Sequence, residues 1–206
     1  DTLLSATNVT IRKSGVLTCE GAFTNTAMSN RVNLVCSNLL IEAGGAIDVV
    51  GKGYPGGLLT AYAPGHGPGG GYKGNGGAGY GGAGCVGFYN AWHFPKGGWG
   101  YLDTNTYGDA AAPLDPGSGG QAGNQLDTVP SHGGGAVRIT AGQVVVNGTI
   151  NADASLWPAY PGHASGGSGG GIFITCRTIT GTNGVLSANG VSGYGTLNGG
   201  GGGGGR

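Results

Sequence analysis

The chain repeats itself, and the form of the repeat narrows the folds open to it. NVTIRKSGVLTCEG (8–21) aligns on NLLIEAGGAIDVVG (38–51), with Asn8 on Asn38, Ile11 on Ile41, Gly15 on Gly45, Leu17 on Ile47 and Gly21 on Gly51. VRITAGQVVVNGTINADA (137–154) aligns on IFITCRTITGTNGVLSANG (172–190), and VNLVCSNLLIEAGGAIDVVG (32–51) has the same form. Cys36, Ala141 and Cys176 then share one repeat position. Each unit holds two short runs in which Val, Ile and Thr alternate with other residues, parted by a Gly or Asn-Gly turn, as half-buried strands do. Strands this short bury too little to stand alone. Stacked unit on unit, they pair their backbones and bury a continuous apolar column. The expectation is an all-β fold with almost no α-helix: a short right-handed parallel β-helix, or β-solenoid.

Glycine makes up 52 of the 206 residues, against an average usage of roughly 7 %. Most of it lies in tracts that follow the same point of each unit: after VVG (51–132), after NADA (155–170) and after SANG (191–206). Insertions at one corner of a stack gather on one face of it. Disordered chains are highly charged and poor in apolar residues, whereas this one is 9 % charged and 38 % apolar. The tracts therefore read as folded, running as polyproline II with glycine where chains touch. Collagen needs glycine strictly at every third residue, and Lys73 and Tyr80 interrupt that register. One domain, 1–206, is expected, with rungs from 1–50, 133–154 and 171–190.

Net charge is zero and the nine basic residues are scattered, which argues against nucleic acid or an anionic membrane surface as partner. No apolar run approaches the ~20 residues that span a bilayer, and with no signal peptide Asp1 reads as a processed start. The four cysteines fit an oxidising, extracellular setting with two disulfides, buried free thiols being the alternative. Of three possible pairings, Cys19 with Cys36 closes one turn of chain, which leaves Cys85 with Cys176 to tie the long insert to the stack. Asn8-Val9-Thr10 and Asn147-Gly148-Thr149 fit the glycosylation sequon.

Chemistry is harder to find. Glycoside cleavage usually needs a carboxylate pair, but Glu42 and Asp48 are separated by a turn, and Asp103, Asp109, Asp115 and Asp127 look like turn formers. His66, His132 and His163 each precede a glycine tract and could stack around a metal; a backbone-bonded turn is the plainer reading. No cofactor, metal or catalytic residue is assigned, and glycine abundance deprives GxGxxG matches of meaning. The long insert is rich in aromatics, densest in FYNAWHFPKGGWGY (88–101). Tyr89, Trp92, Phe94, Trp99 and Tyr101 suit three roles: capping the glycine tracts, forming a self-association surface, or stacking on sugars.

GKGYPGG (51–57), GHGPGGG (65–71), GGAGYGG (76–82), YGDAAAPLDPGSGG (107–120), GGGAVRI (133–139), GGGIFIT (169–175) and the final GGGGGGGR resemble successive motifs of glycine-rich β-helical surface domains. Such domains occur in large secreted or surface proteins of bacteria, algae and protists, and the likeness covers most of 32–206. There is a looser likeness to glycine-rich tip adhesins of phage tail fibres and to glycine-rich antifreeze proteins. The resemblance implies an extracellular structural or adhesive role, with no catalytic residues to carry over. The expected function is a self-assembling subunit of a filament, hair or coat, joined head to tail through the N-terminal strand (3–11) and the glycine tail (199–206). The alternative is an adhesin tip that recognises surface glycans through the aromatic segment.

Overall fold

The computed structural model describes residues 2–21, 30–57, 63–71, 76–85, 106–122, 131–155, 165–193 and 199–206. Eight strands run in chain order: β1 (Leu3–Ile11), β2 (Val16–Leu17), β3 (Val32–Ile41), β4 (Ala46–Asp48), β5 (Ala136–Val146), β6 (Thr149–Asn151), β7 (Gly171–Thr180) and β8 (Val185–Ser187). There is no helix among the described residues. Two open four-stranded sheets result, ordered β1-β3-β5-β7 and β2-β4-β6-β8, and every pairing is parallel.

The ladders carry the sequence repeat in register. Asn8 pairs with Asn38, Ile11 with Ile41 and Leu17 with Ile47. Cys36 pairs with Ala141, which pairs with Cys176. Like side chains therefore stack in columns: Leu4, Leu34, Ile139 and Ile174 form one, and Leu17, Ile47, Ile150 and Leu186 another. A polar column runs alongside, where Asn38 Nδ2 donates to Asn8 Oδ1 at 2.8 Å.

Each long strand turns a corner in mid-course. Pairing passes through Cys36 and Asn38 but skips Ser37 and its partners. Inward residues change phase there, from Val32, Leu34 and Cys36 to Leu39 and Ile41. A Cβ at Gly142, the residue level with Ser37, would fall 2.8 Å from the Ser37 carbonyl oxygen, so in β5 the corner takes glycine, whereas Thr7, Ser37 and Arg177 occupy it in the other long strands. The second turn of each of the first two rungs needs a left-handed residue, supplied by Ser14 (φ 65°) and Gly44 (φ 82°). These turns stack as well, Ser14 N–H donating to the Gly44 carbonyl at 2.9 Å.

The apolar core lies between the two sheets. Leu34, Leu39, Ile41, Ile139 and Val144 enter it from one, Ile47 and Ile150 from the other, each 1 % exposed or less. Burying one such side chain contributes about 1.5–3 kcal/mol. This is the main cohesion of the rungs, because strands as short as β4 or β6 make few hydrogen bonds.

The glycine tracts form a second layer that has hydrogen bonds in place of an apolar core. The run 117–120 shows how. Gly117 N–H donates to the Gly134 carbonyl and Gly119 N–H to that of His66, while the carbonyls of Gly117, Ser118, Gly119 and Gly120 accept from Tyr54, Ser168, Gly71 and Gly57. One extended segment thus bonds to four others: 51–57, 63–71, 131–135 and 165–170. A β-strand has only two in-plane neighbours. Bonding in several directions means the chain turns about its axis as it advances, and it needs bare backbone wherever two segments touch.

The cysteine expectation changes here. The four cysteines are free thiols. Cys85 N–H donates to Gly201, and Gly166 N–H donates to Gly200, so Cys85 lies level with about Gly167. Cys176 stands nine residues further along that same run, about 28 Å at ~3.1 Å per residue, whereas a disulfide holds Cα atoms within roughly 7 Å. The proposed Cys85–Cys176 pair is therefore ruled out in this arrangement. Cys36, on an inward position of β3, and Cys19 both pack on the apolar core as unpaired thiols. The tail 199–206, expected as one of the two contact ends, is threaded into the glycine layer. Gly203 donates to Ala78, Gly202 to Val191 and Gly205 to Ala188.

Candidate functional site

Both ends of the stack are open over most of their width among the described residues. Along one column, Ile47 and Ile150 are fully buried while Leu186 at the far end is 48 % exposed. Along another, Leu34 is fully buried and Leu4 at the near end is 44 % exposed. Val16 and Leu3 on the first rung, and Ile179 and Val185 on the last, are each more than half exposed. At the two ends, β1 and β7 each pair on one side only, which leaves a row of backbone groups facing outward. The ends are therefore apolar, hydrogen-bond-hungry and parallel to one another.

The far end is partly covered. Arg206 N–H donates to Gly170 at 3.1 Å, and Ile172 N–H donates to Arg206 at 2.8 Å. This is the bonding of a parallel ladder, with Arg206 opposite Gly171. Cover stops there: Gly171 is buried, Ile172 to Ile174 are half-buried, and Arg177 to Thr180 are exposed.

Arg206 is held from its other side. Its guanidinium lies 5.8 Å from the centroid of the Tyr80 ring and donates to the Gly108 carbonyl at 3.4 Å. Tyr80 in turn packs on Tyr107, with ring centroids 4.8 Å apart. Tyr107 donates its hydroxyl proton to the Pro116 carbonyl and accepts from Ser118 at 2.9 Å. Burial pushes the Tyr80 phenol up to about 12, and the nearby Asp115 carboxylate adds to the shift. Burial likewise raises Tyr107 and Tyr54. The Tyr80 hydroxyl is buried without a hydrogen bond of good geometry. These rings lock two glycine segments, 76–85 and 106–122, and the tail together. No local pattern announces the cluster, since Tyr80, Tyr107 and Arg206 meet only through the packing of segments without apolar periodicity.

The remaining candidates take structural places. Asp48 and Asp109 cap turns by accepting from Val50 N–H at 3.0 Å and Ala111 N–H at 2.8 Å. Glu42 accepts from Lys13 N–H at 3.1 Å. Of the two sequons, Asn8 lies exposed on β1 with its oxygen bonded to Asn38, and half-buried Asn147 accepts from Thr182 N–H at 2.8 Å. Burial lowers the imidazole pKa of both His66 and His132; His163 lies outside the described residues. Among the described residues no group of three His, Cys, Asp or Glu side chains converges as a metal site would. Tyr89, Trp92, Phe94, Trp99 and Tyr101 also lie outside the described residues, and with them the glycan-stacking surface. No described helix is long and apolar enough to cross a membrane. No family model, no curated protein and no solved structure matches the chain.

Proposed function

We propose that this chain is a self-assembling structural subunit of an extracellular filament, hair or coat. In this reading the two sheets are the faces of a short right-handed β-solenoid, and the glycine segments form a polyproline II layer on one side of it. The observation that carries the reading is the contrast along each apolar column: fully buried in the middle, exposed at one end (Leu4, Ile179 or Leu186) and half-buried at the other (Ile174, Val9 or Leu17), in one unbroken parallel register. Exposed strand edges recruit further strands, and a head-to-tail contact that does not close into a ring grows into a fibre. Zero net charge removes the repulsion that would keep copies apart. The extracellular setting rests on the likeness of the glycine motifs to surface domains, not on the cysteines, which stand as free thiols.

Electron microscopy of the natively processed chain, with sedimentation over a wide concentration range, tests this. Fibres whose mass grows with concentration are expected. Discrete monomers or small closed oligomers at every concentration would refute it.

A further inference from the structure

We infer that the joint between subunits is a parallel, in-register pairing of β1 from one copy onto the open edge of β7 in the next. This rests on the self-assembly reading and specifies its contact. Within one molecule the register is constant from rung to rung, so it can be carried across a joint without adjustment. Leu4 then meets Ile174, Val9 meets Ile179, and Leu17 meets Leu186, each exposed or half-buried end completing a column that is dry inside the molecule. The polar column continues too, with Asn8 beside Thr178.

The tail makes the choice of partner specific. Leu3 pairs with Asn33, Asn33 with Arg138 and Arg138 with Phe173, so Leu3 corresponds to Phe173. Arg206 already occupies the place opposite Gly171. The β1 strand of an incoming copy would therefore lie on the β7 edge from Phe173 onward, beyond the position that Arg206 holds. An unrelated strand would find the first position of the edge taken and would have to match the alternation of the columns. Four rungs at a strand spacing of roughly 4.8 Å give an axial rise of about 19 Å per subunit.

Ser5 and Thr175 share a column on the outward face and are both exposed. Within one molecule they stand three rung steps apart, about 14 Å, too far for a disulfide; across the joint they are neighbours. The test is oxidation of assembled S5C/T175C protein in a C85S background, read on a non-reducing gel, with each single variant beside it. The double variant is expected to give a ladder of dimers, trimers and higher species. The S5C and T175C singles are expected to cross-link only when mixed, and only to dimers. A double variant that polymerises by sedimentation but gives no ladder overturns the joint and leaves the assembly reading standing. Dimers from S5C alone overturn it in favour of a β1-to-β1 contact. Protein that stays monomeric by sedimentation overturns the assembly reading itself.

Discussion

Replacing Gly134 by alanine tests whether the glycine layer is a packed solid. A Cβ there would be driven into the Ala152 carbonyl oxygen and come within 2.6 Å of Gly170 N. Those two atoms are themselves hydrogen-bonded at 2.8 Å, so the methyl is a wedge in an existing bond. Gly134 N–H also donates to Ser168 at 2.9 Å, and its carbonyl accepts from Gly117 at 2.8 Å. A shift large enough to relieve the clash weakens all three. At about 1 kcal/mol for each hydrogen bond and about 1–3 kcal/mol for overpacking, the cost is about 4–6 kcal/mol. That is a large part of the roughly 5–15 kcal/mol that keeps a domain folded. Gly204 is the matched control, because a Cβ there meets nothing within 4 Å. Gly204→Ala is expected to be neutral, or to stabilise by up to about 1 kcal/mol by restricting the unfolded chain. Equilibrium denaturation in urea, comparing midpoints at equal slope, measures both. If Gly134→Ala and Gly204→Ala lie within about 1 kcal/mol of each other, the layer is not close-packed and the argument from glycine fails.

Further expectations follow from burial and charge. Ile47→Ala in the middle of a column should destabilise by about 2–5 kcal/mol, whereas Leu186→Ala at its end should cost under about 1.5 kcal/mol in dilute protein, since roughly half its surface is wet already; equal costs in denaturant titrations would contradict the column. Tyr80 has its folded pKa raised to about 12 from an ordinary 10.0. The stability tied to it is whole below pH 10 and lost as pH rises from 10 toward 12; spectrophotometric titration should find late-ionising tyrosines whose titration coincides with unfolding, and ionisation of every tyrosine near pH 10 in folded protein would refute the burial. His132 has its folded pKa lowered by burial, so its neutral form favours the fold. Stability should be full above about pH 6.5 and fall on acidification below it, and His132→Asn should lessen that fall in thermal melts between neutral and mildly acid pH.

The repeat of paired strands was legible in the sequence because parallel strands in constant register put like residues at like places. Asn8 over Asn38 and Ile11 over Ile41 are visible as letters before they are visible as contacts. The corner at Ser37 was not legible. Val35 and Leu40 are apolar yet face away from the core on either side of it, so the sequence shows no change of phase. Gly181 was hidden for a different reason: it stands where Ile11, Ile41 and Val146 stand in the other strands, but there the backbone has φ 155° and a Cβ would be driven into the Val146 carbonyl oxygen, which no letter of the repeat announces. In the glycine layer the sequence gives composition but not adjacency. Contacts such as Arg206 with Tyr80 depend on which bare faces meet, and bare faces are alike in every tract. The cysteines illustrate the hazard, since a pairing chosen to tie the insert to the stack joined two places far apart along one run.

The glycine layer also bears on how this protein responds to temperature. Unfolding usually raises the heat capacity because apolar surface becomes wet, while exposure of polar surface lowers it. Here a large share of what is buried is peptide group: Gly117, Ser118, Gly119, Gly120 and Gln121 are all buried, and much of their surface is backbone. The heat-capacity increment of unfolding should therefore fall below the usual ~12–15 cal/mol/K per residue, and the curve of stability against temperature should be correspondingly flat. Such a molecule loses less of its stability on chilling than one of equal size held together by hydrocarbon alone, and it keeps more of it over a broad thermal range.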